Sequence, residues 1–155
     1  FSGKKLEYFD QEKGERFTPH VVEPSFGVDR SMLAVLCDAY HEEEVDGEKR
    51  VVMKFSKSIA PVKIAIMPLM KKDGLDQKAM QTHDLLKKHW YCEYDDGGSI
   101  GKRYRRQDEI GTPYCVTVDY DTLEKDQAVT VRDRDSMKQE RVKMDELKKW
   151  FQDRF

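Results

Sequence analysis

Val62-Lys63-Ile64-Ala65-Ile66-Met67 is the segment that most restricts how this chain can fold. It is short, β-branched and apolar on both faces, the pattern of a central strand covered on both sides. Such a strand needs other strands beside it and helices over it, and the sequence after Pro61 supplies both in alternation. Asp73-Gly74 turns the chain into a helix carrying Leu75, Ala79, His83, Leu86 and Trp90 about four apart. Tyr91-Cys92-Glu93-Tyr94 reads as a second strand, ended by Asp95-Asp96-Gly97-Gly98. Ser99 is placed to cap another helix, with Gly111 and Pro113 just past its end. Tyr114, Val116, Val118 and Tyr120 alternate in a third strand, Val129 and Val131 in a fourth, and Arg141-Val142-Lys143-Met144 adds a fifth. Asp145 caps a last helix whose buried stripe is Leu147, Trp150, Phe151 and Phe155. The expected fold class is α/β, a mixed β-sheet flanked by helices.

The sequence before Pro61 is organised differently. Two extended segments, Lys5–Asp10 and Arg16–Val22, flank a turn at Gly14. The second leads to the junction Glu23-Pro24-Ser25-Phe26-Gly27-Val28-Asp29-Arg30, and from there into a helix with Met32, Val35, Leu36, Ala39 and Tyr40 on its expected buried side. His41–Glu48 is acidic and aperiodic, and reads as a solvated loop. Val51–Phe55 is extended. The expected organisation is a strand and helix unit over residues 1–45, a linker over 46–60 and a second domain over 61–155.

Composition narrows the function classes. The 155 residues suffice for one core, with 38% hydrophobic content. Charged residues reach 37% but nearly cancel, leaving a formal net charge of -2. That balance argues against a generic nucleic-acid binder, since any attraction to phosphate must come from a local patch. No apolar run approaches the roughly 20 residues that span a bilayer, and no secretory signal pattern opens the sequence. The chain starts in mid-pattern at Phe1 without an initiator methionine, which reads as a piece of a longer protein. Cys37, Cys92 and Cys115 have neither Cys-x-x-Cys spacing nor a zinc-ligand partner, and are expected as buried thiols of a reducing cytoplasm. His20, His41, His83 and His89 form no ligand pair, so no metal site is expected.

The Glu23–Arg30 junction brings a carboxylate, a hydroxyl, a glycine and an arginine to a helix start, groups able to grip an amine and a phosphate together. The plain alternative is that Glu23 pairs with a neighbouring base and Arg30 is an ordinary helix-start residue. The junction resembles motif 3 of the class II aminoacyl-tRNA synthetases, and His20-Val21-Val22-Glu23-Pro24-Ser25-Phe26-Gly27 resembles the glycyl-tRNA synthetases of the dimeric type. The resemblance implies that Arg30 is catalytic and meets the phosphates of ATP, where a guanidinium stabilises developing charge. It also implies that Glu23 and Ser25 hold the glycine ammonium. Residues 1–45 would then be the C-terminal part of the catalytic domain.

Residues 95–104, 107–113 and 131–135 resemble the anticodon-binding domain shared by the glycyl, histidyl, prolyl and threonyl synthetases. The resemblance implies a five-stranded mixed sheet with three helices that holds the anticodon loop on one sheet face and adjoining loops. The basic residues Lys102, Arg103, Arg105 and Arg106 are candidates for that contact, and on a helix Lys102, Arg105 and Arg106 share a face. Local neutralisation by Asp108, Glu109 and the acidic turn stands as the alternative. Tyr94, Tyr104, Tyr114 and Tyr120 are candidate stacking partners for unpaired bases, with core burial the alternative for Tyr114 and Tyr120. Arg132 and Arg134 are placed either to read base edges or to form a salt-bridge network with Asp133. The family likeness implies a cytoplasmic homodimer that uses ATP and Mg2+ to join glycine to tRNA(Gly), this chain supplying motif 3 and anticodon recognition. On its own the chain is expected to be inactive, without a cofactor and away from membranes. A catalytically inactive accessory module that binds nucleic acid is the other reading.

Overall fold

The computed structural model describes residues 3–125 and 127–155. Phe1 and Ser2, at the head of the sequence, lie outside the described residues. The chain divides into two compact units, Phe1–Ser31 and Met32–Phe155.

In the first unit β1 (Tyr8–Asp10) pairs antiparallel with β2 (Glu15–Phe17). Asp10 accepts from the backbone N–H of Glu12 at 3.0 Å, Gly14 takes φ 65°, and the rings of Tyr8 and Phe17 meet edge to face across the ribbon. The extended segment expected to reach Val22 stops at Phe17, and residues 18–27 carry no regular element. Helix α1 (Val28–Ala39) then begins, its first turn marked by the bond from Ser31 N–H to Gly27 O.

The second unit holds the remainder of α1, an antiparallel hairpin of β3 (Tyr40–Val45) with β4 (Glu48–Met53), and the five-stranded sheet. The hairpin replaces the loop expected over 41–48. Asp46 and Gly47 both take positive φ, 52° and 79°, as a two-residue turn between twisted strands requires. Part of the segment expected as a linker belongs to this packed unit: Arg50 and Val52 are fully buried, and Phe55 and Ala60 pack with Ala39. The second compact unit runs from Met32 through this segment to Phe155. Only Ala39 of the expected buried face of α1 is buried; Met32, Val35, Leu36 and Tyr40 are exposed.

From Ile64 onward the order is β5 (Ile64–Pro68), α2 (Leu75–Leu86), β6 (Cys92–Tyr94), α3 (Ile100–Ile110), β7 (Tyr114–Val118), α4 (Tyr120–Glu124), β8 (Ala128–Asp133), β9 (Gln139–Lys143) and α5 (Leu147–Gln152). The strands lie in the order β6-β5-β7-β8-β9, with β6, β5 and β7 parallel and β8 and β9 antiparallel. This is the expected mixed sheet flanked by helices. Every residue of β5 is buried, as its two apolar faces demand. Ile64 and Ile66 face one side with Val116, Val118, Val129, Val131 and Val142, where α2 and α5 add Leu75, Leu86, Leu147 and Phe151. Each fully buried aliphatic side chain of this kind stabilises the fold by about 1.5–3 kcal/mol. Ala65, Met67 and Cys115 face the other side, against Ile100 and Tyr104 of α3.

An aromatic cluster fastens α5. Phe151 lies 5.7 Å from Trp90, 5.6 Å from Tyr114 and 4.9 Å from Trp150, ring centre to ring centre. Two sequence expectations shift. Tyr120 opens α4 instead of extending β7, because Asp119 and Thr122 form a reciprocal capping box. The residue preceding α5 is Glu146 rather than Asp145, and its side chain makes no capping bond.

Candidate nucleic-acid interface

The sheet face that carries Cys115 is covered by α3 near β5 and becomes polar toward β8 and β9. Register places Cys115 beside Arg132 and Thr117 beside Thr130, and Thr130 beside Arg141. These side chains are joined to one another. Tyr104 Oη lies 2.7 Å from Thr117 Oγ1, and Thr130 Oγ1 donates to Asp119 Oδ2 at 3.1 Å. Arg141 Nη1 donates to the same Asp119 oxygen at 2.6 Å. Partial burial works against ionisation of Asp119, but the bonds from Arg141 and Thr122 prevail and hold its pKa below the ordinary 3.8.

Helix α3 forms the border of this face. Ser99 precedes its first residue in extended backbone and Gly111 ends it at φ 83°, as the sequence indicates. A Cβ at Gly111 would lie 2.5 Å from Phe55 and 2.7 Å from Met53 O, so the helix end sits directly on the close of β4. Along the outer side of α3, Gly101, Lys102, Arg105, Arg106 and Glu109 line a groove of about 520 Å³ together with Glu48 at the start of β4.

The six basic candidates divide sharply. Lys102 has no ion pair among the described residues, and Arg105 Nη2 stands 4.0 Å from Glu48 Oε2. Arg106 forks onto Asp95, with Nη2 at 2.8 and 2.7 Å from its two oxygens, and reaches Gly97 O at 2.6 Å, which fixes the turn before α3. The other three lie inside. Arg103 is 3% exposed and donates to the carbonyls of Pro68 and Gly98. Arg132 grips Asp108 with both terminal nitrogens, at 2.8 and 3.1 Å, and lies 4.9 Å over the Tyr104 ring. Arg134 donates to Gly111 O and Phe55 O, both at 2.9 Å, and to Asp135. Arg103, Arg132 and Arg134, expected from the sequence as candidates for RNA contact, have their guanidinium groups engaged by acceptors of the chain itself. They support the surface from beneath.

Of the tyrosines, Tyr114 is core, while Tyr104 is half-buried beside the polar face. Burial first, eased by the bond to Thr117, raises the Tyr104 pKa and keeps its hydroxyl neutral. Thr117, Asp119, Thr130 and Arg141 were not singled out from the sequence. For Thr117 and Thr130 the signal lay in the alternation of β7 and β8, where the neighbours of the valines are polar. In the first unit Glu23 and Ser25 are exposed within the irregular 18–27 segment, and Arg30 is exposed in the first turn of α1. Among the described residues no group of three or more His, Cys, Asp or Glu side chains is able to hold a metal ion. No described helix is long and apolar enough to cross a membrane.

Residues 63–154, more than half of the sequence, match the family described as anticodon binding domain. The chain belongs to that family. Curated relatives extend the likeness beyond the anticodon binding domain. A glycine–tRNA ligase of Lachnoclostridium phytofermentans is 56% identical over 155 residues, covering 99% of this chain and 33% of its own length. One of Thermobifida fusca is 54% identical over 158 residues, covering 99% of this chain and 34% of its own length. The chain thus spans about a third of the length of the curated relatives it matches. Among solved structures, a prolyl-tRNA synthetase of Cryptosporidium parvum, complexed with L-proline and AMP, superposes with a TM-score of 0.59 at 22% identity. That match covers 66% of this chain and 22% of the other, and shows that the two share a fold.

Proposed function

We propose that the chain is the C-terminal part of a glycine–tRNA ligase and that it receives the anticodon loop of tRNA(Gly) on the α3 border and the polar sheet face. The observation that carries this reading is the 56% identity to glycine–tRNA ligases across 99% of the chain. Lys102 and Arg105 contact the RNA backbone, with Arg106 beside them. Tyr104, steadied by Arg132 and Thr117, offers a ring to an unstacked base. In the whole protein, a cytoplasmic homodimer on this reading, Arg30 stabilises charge on the phosphates of ATP while Glu23 and Ser25 accept from the glycine ammonium. Mg2+ accompanies ATP in the whole protein on this reading.

The test is a calorimetric salt titration of this chain against the anticodon stem-loop of tRNA(Gly). Two phosphate contacts at about 0.7 each give a fall of roughly 1.4 in log affinity per decade of salt. Replacing Lys102 and Arg105 together flattens that slope without changing base preference. Equal affinity for native and altered anticodons, with a slope unmoved by the double replacement, would remove RNA from this face.

A further inference from the structure

The hairpin of β3 and β4 packs along α3, and its residues meet the helix in matched steps. Arg50 on β4 donates from Nε to Asp108 on α3 at 2.8 Å. Glu48, two residues earlier on the same side of β4, stands 4.0 Å from Arg105, three residues earlier on α3. The buried bond therefore fixes where the exposed pair falls. Glu48 has 82% of its side chain exposed, Arg105 has 35%, and both line the groove that Lys102 also borders. Gly101 adds no side chain to that groove, and a Cβ built there meets nothing within 4 Å. A negatively charged oxygen thus rests at the mouth of a groove that Lys102, Arg105 and Arg106 line together with Glu109, with room for a tetrahedral anion.

We propose that the groove between α3 and β4 is a subsite for one phosphodiester of the bound RNA, and that Glu48 is its internal competitor. This rests on the RNA reading of α3. In the free protein the Glu48 carboxylate stands beside Arg105 at 4.0 Å; on binding, a phosphate bridges Arg105 and Lys102 and the carboxylate swings further into water. An exposed pair of this kind is weak enough to be displaced. The cost of displacing it is subtracted from what the phosphate contact contributes, so Glu48 holds down the affinity of the RNA that reaches this point.

The experiment is a calorimetric titration of the tRNA(Gly) anticodon stem-loop into four forms of this chain: unchanged, Glu48→Gln, Arg105→Gln and the double variant. Glu44→Gln serves as a control for net charge. Glu48→Gln is expected to tighten binding about 2- to 5-fold in the unchanged background, in line with the strength of an exposed pair. In the Arg105→Gln background the same change is expected to do no more than Glu44→Gln does. Equal tightening in both backgrounds would reduce Glu48 to bulk charge and overturn the proposal. So would weakening by Arg105→Gln with no response to Glu48→Gln, although the RNA reading would survive. Affinity indifferent to Arg105→Gln would overturn both.

Discussion

Arg50 and Asp108, 58 positions apart in sequence, meet through a 2.8 Å hydrogen bond in which neither side chain is more than 1% exposed. Asp108 also holds Arg132, so one buried carboxylate balances two buried guanidinium groups, with Glu43 assisting Arg50 from the surface. Lys54, burial and Arg50 act on Glu43 in that order, with the net effect of lowering its pKa and keeping it charged. Removing Asp108 strands both cations. Asp108→Ala is expected to cost about 3–5 kcal/mol in urea unfolding followed by circular dichroism, the scale of a broken buried pair. A loss below about 1 kcal/mol would show that the pair is not buried in solution.

Gly111→Ala tests the seat of α3 on β4. The new methyl meets Phe55 and Met53 O well inside contact distance, and the backbone is left-handed at φ 83°. The expected loss is about 2–4 kcal/mol, combining left-handed strain with overpacking. The control is Gly101→Ala on the same helix: its Cβ enters open space, and stability is expected to rise slightly in the same assay.

Asp119 gives the fold an acid limb. Its folded pKa lies below 3.8, so its contribution is fully present above that value and is lost as pH falls through the lowered one. Asp119→Asn keeps a competent cap and removes the charge. It is expected to flatten the decline of stability below about pH 4. Asp119→Ala removes the cap as well and costs about 1 kcal/mol at neutral pH. Melting temperature across pH for the three proteins checks the sign.

The thiols should separate by accessibility. Cys37 is exposed, whereas Cys115 is buried and its pKa is pushed up to about 12, chiefly by that burial. Iodoacetamide on the native chain is expected to modify Cys37 within minutes and Cys115 only after denaturation, read by peptide mass. Modification of Cys115 at the rate of Cys37 would contradict the packing of α3 on the sheet.

Much of the second unit was legible because its central strands are valine- and isoleucine-rich and because Gly74 opens α2 and Gly111 closes α3. Ser99 and Gly111 marked both ends of α3 to the residue. The β3–β4 hairpin was missed because glutamates on both faces of a two-stranded ribbon erase the period of two, although Asp46-Gly47 is itself a hairpin signal. The arginines show a different limit. Charge on a strand is visible in sequence, but the buried carboxylate that claims Arg132 lies on another element, 24 positions away. Helix α1 shows a third: its periodicity marks an apolar side, but of that side only Ala39 is buried.

Both tryptophans, Trp90 and Trp150, belong to the single aromatic cluster that seats α5. Intrinsic fluorescence of this chain therefore watches one corner of the molecule. An emission shift during unfolding dates the release of α5, and it is silent on the arginine-filled contact between α3 and the hairpin. RNA arriving at Lys102 and Arg105 would likewise leave the emission unchanged, so an optical binding assay needs a dye placed on α3 or on the RNA itself.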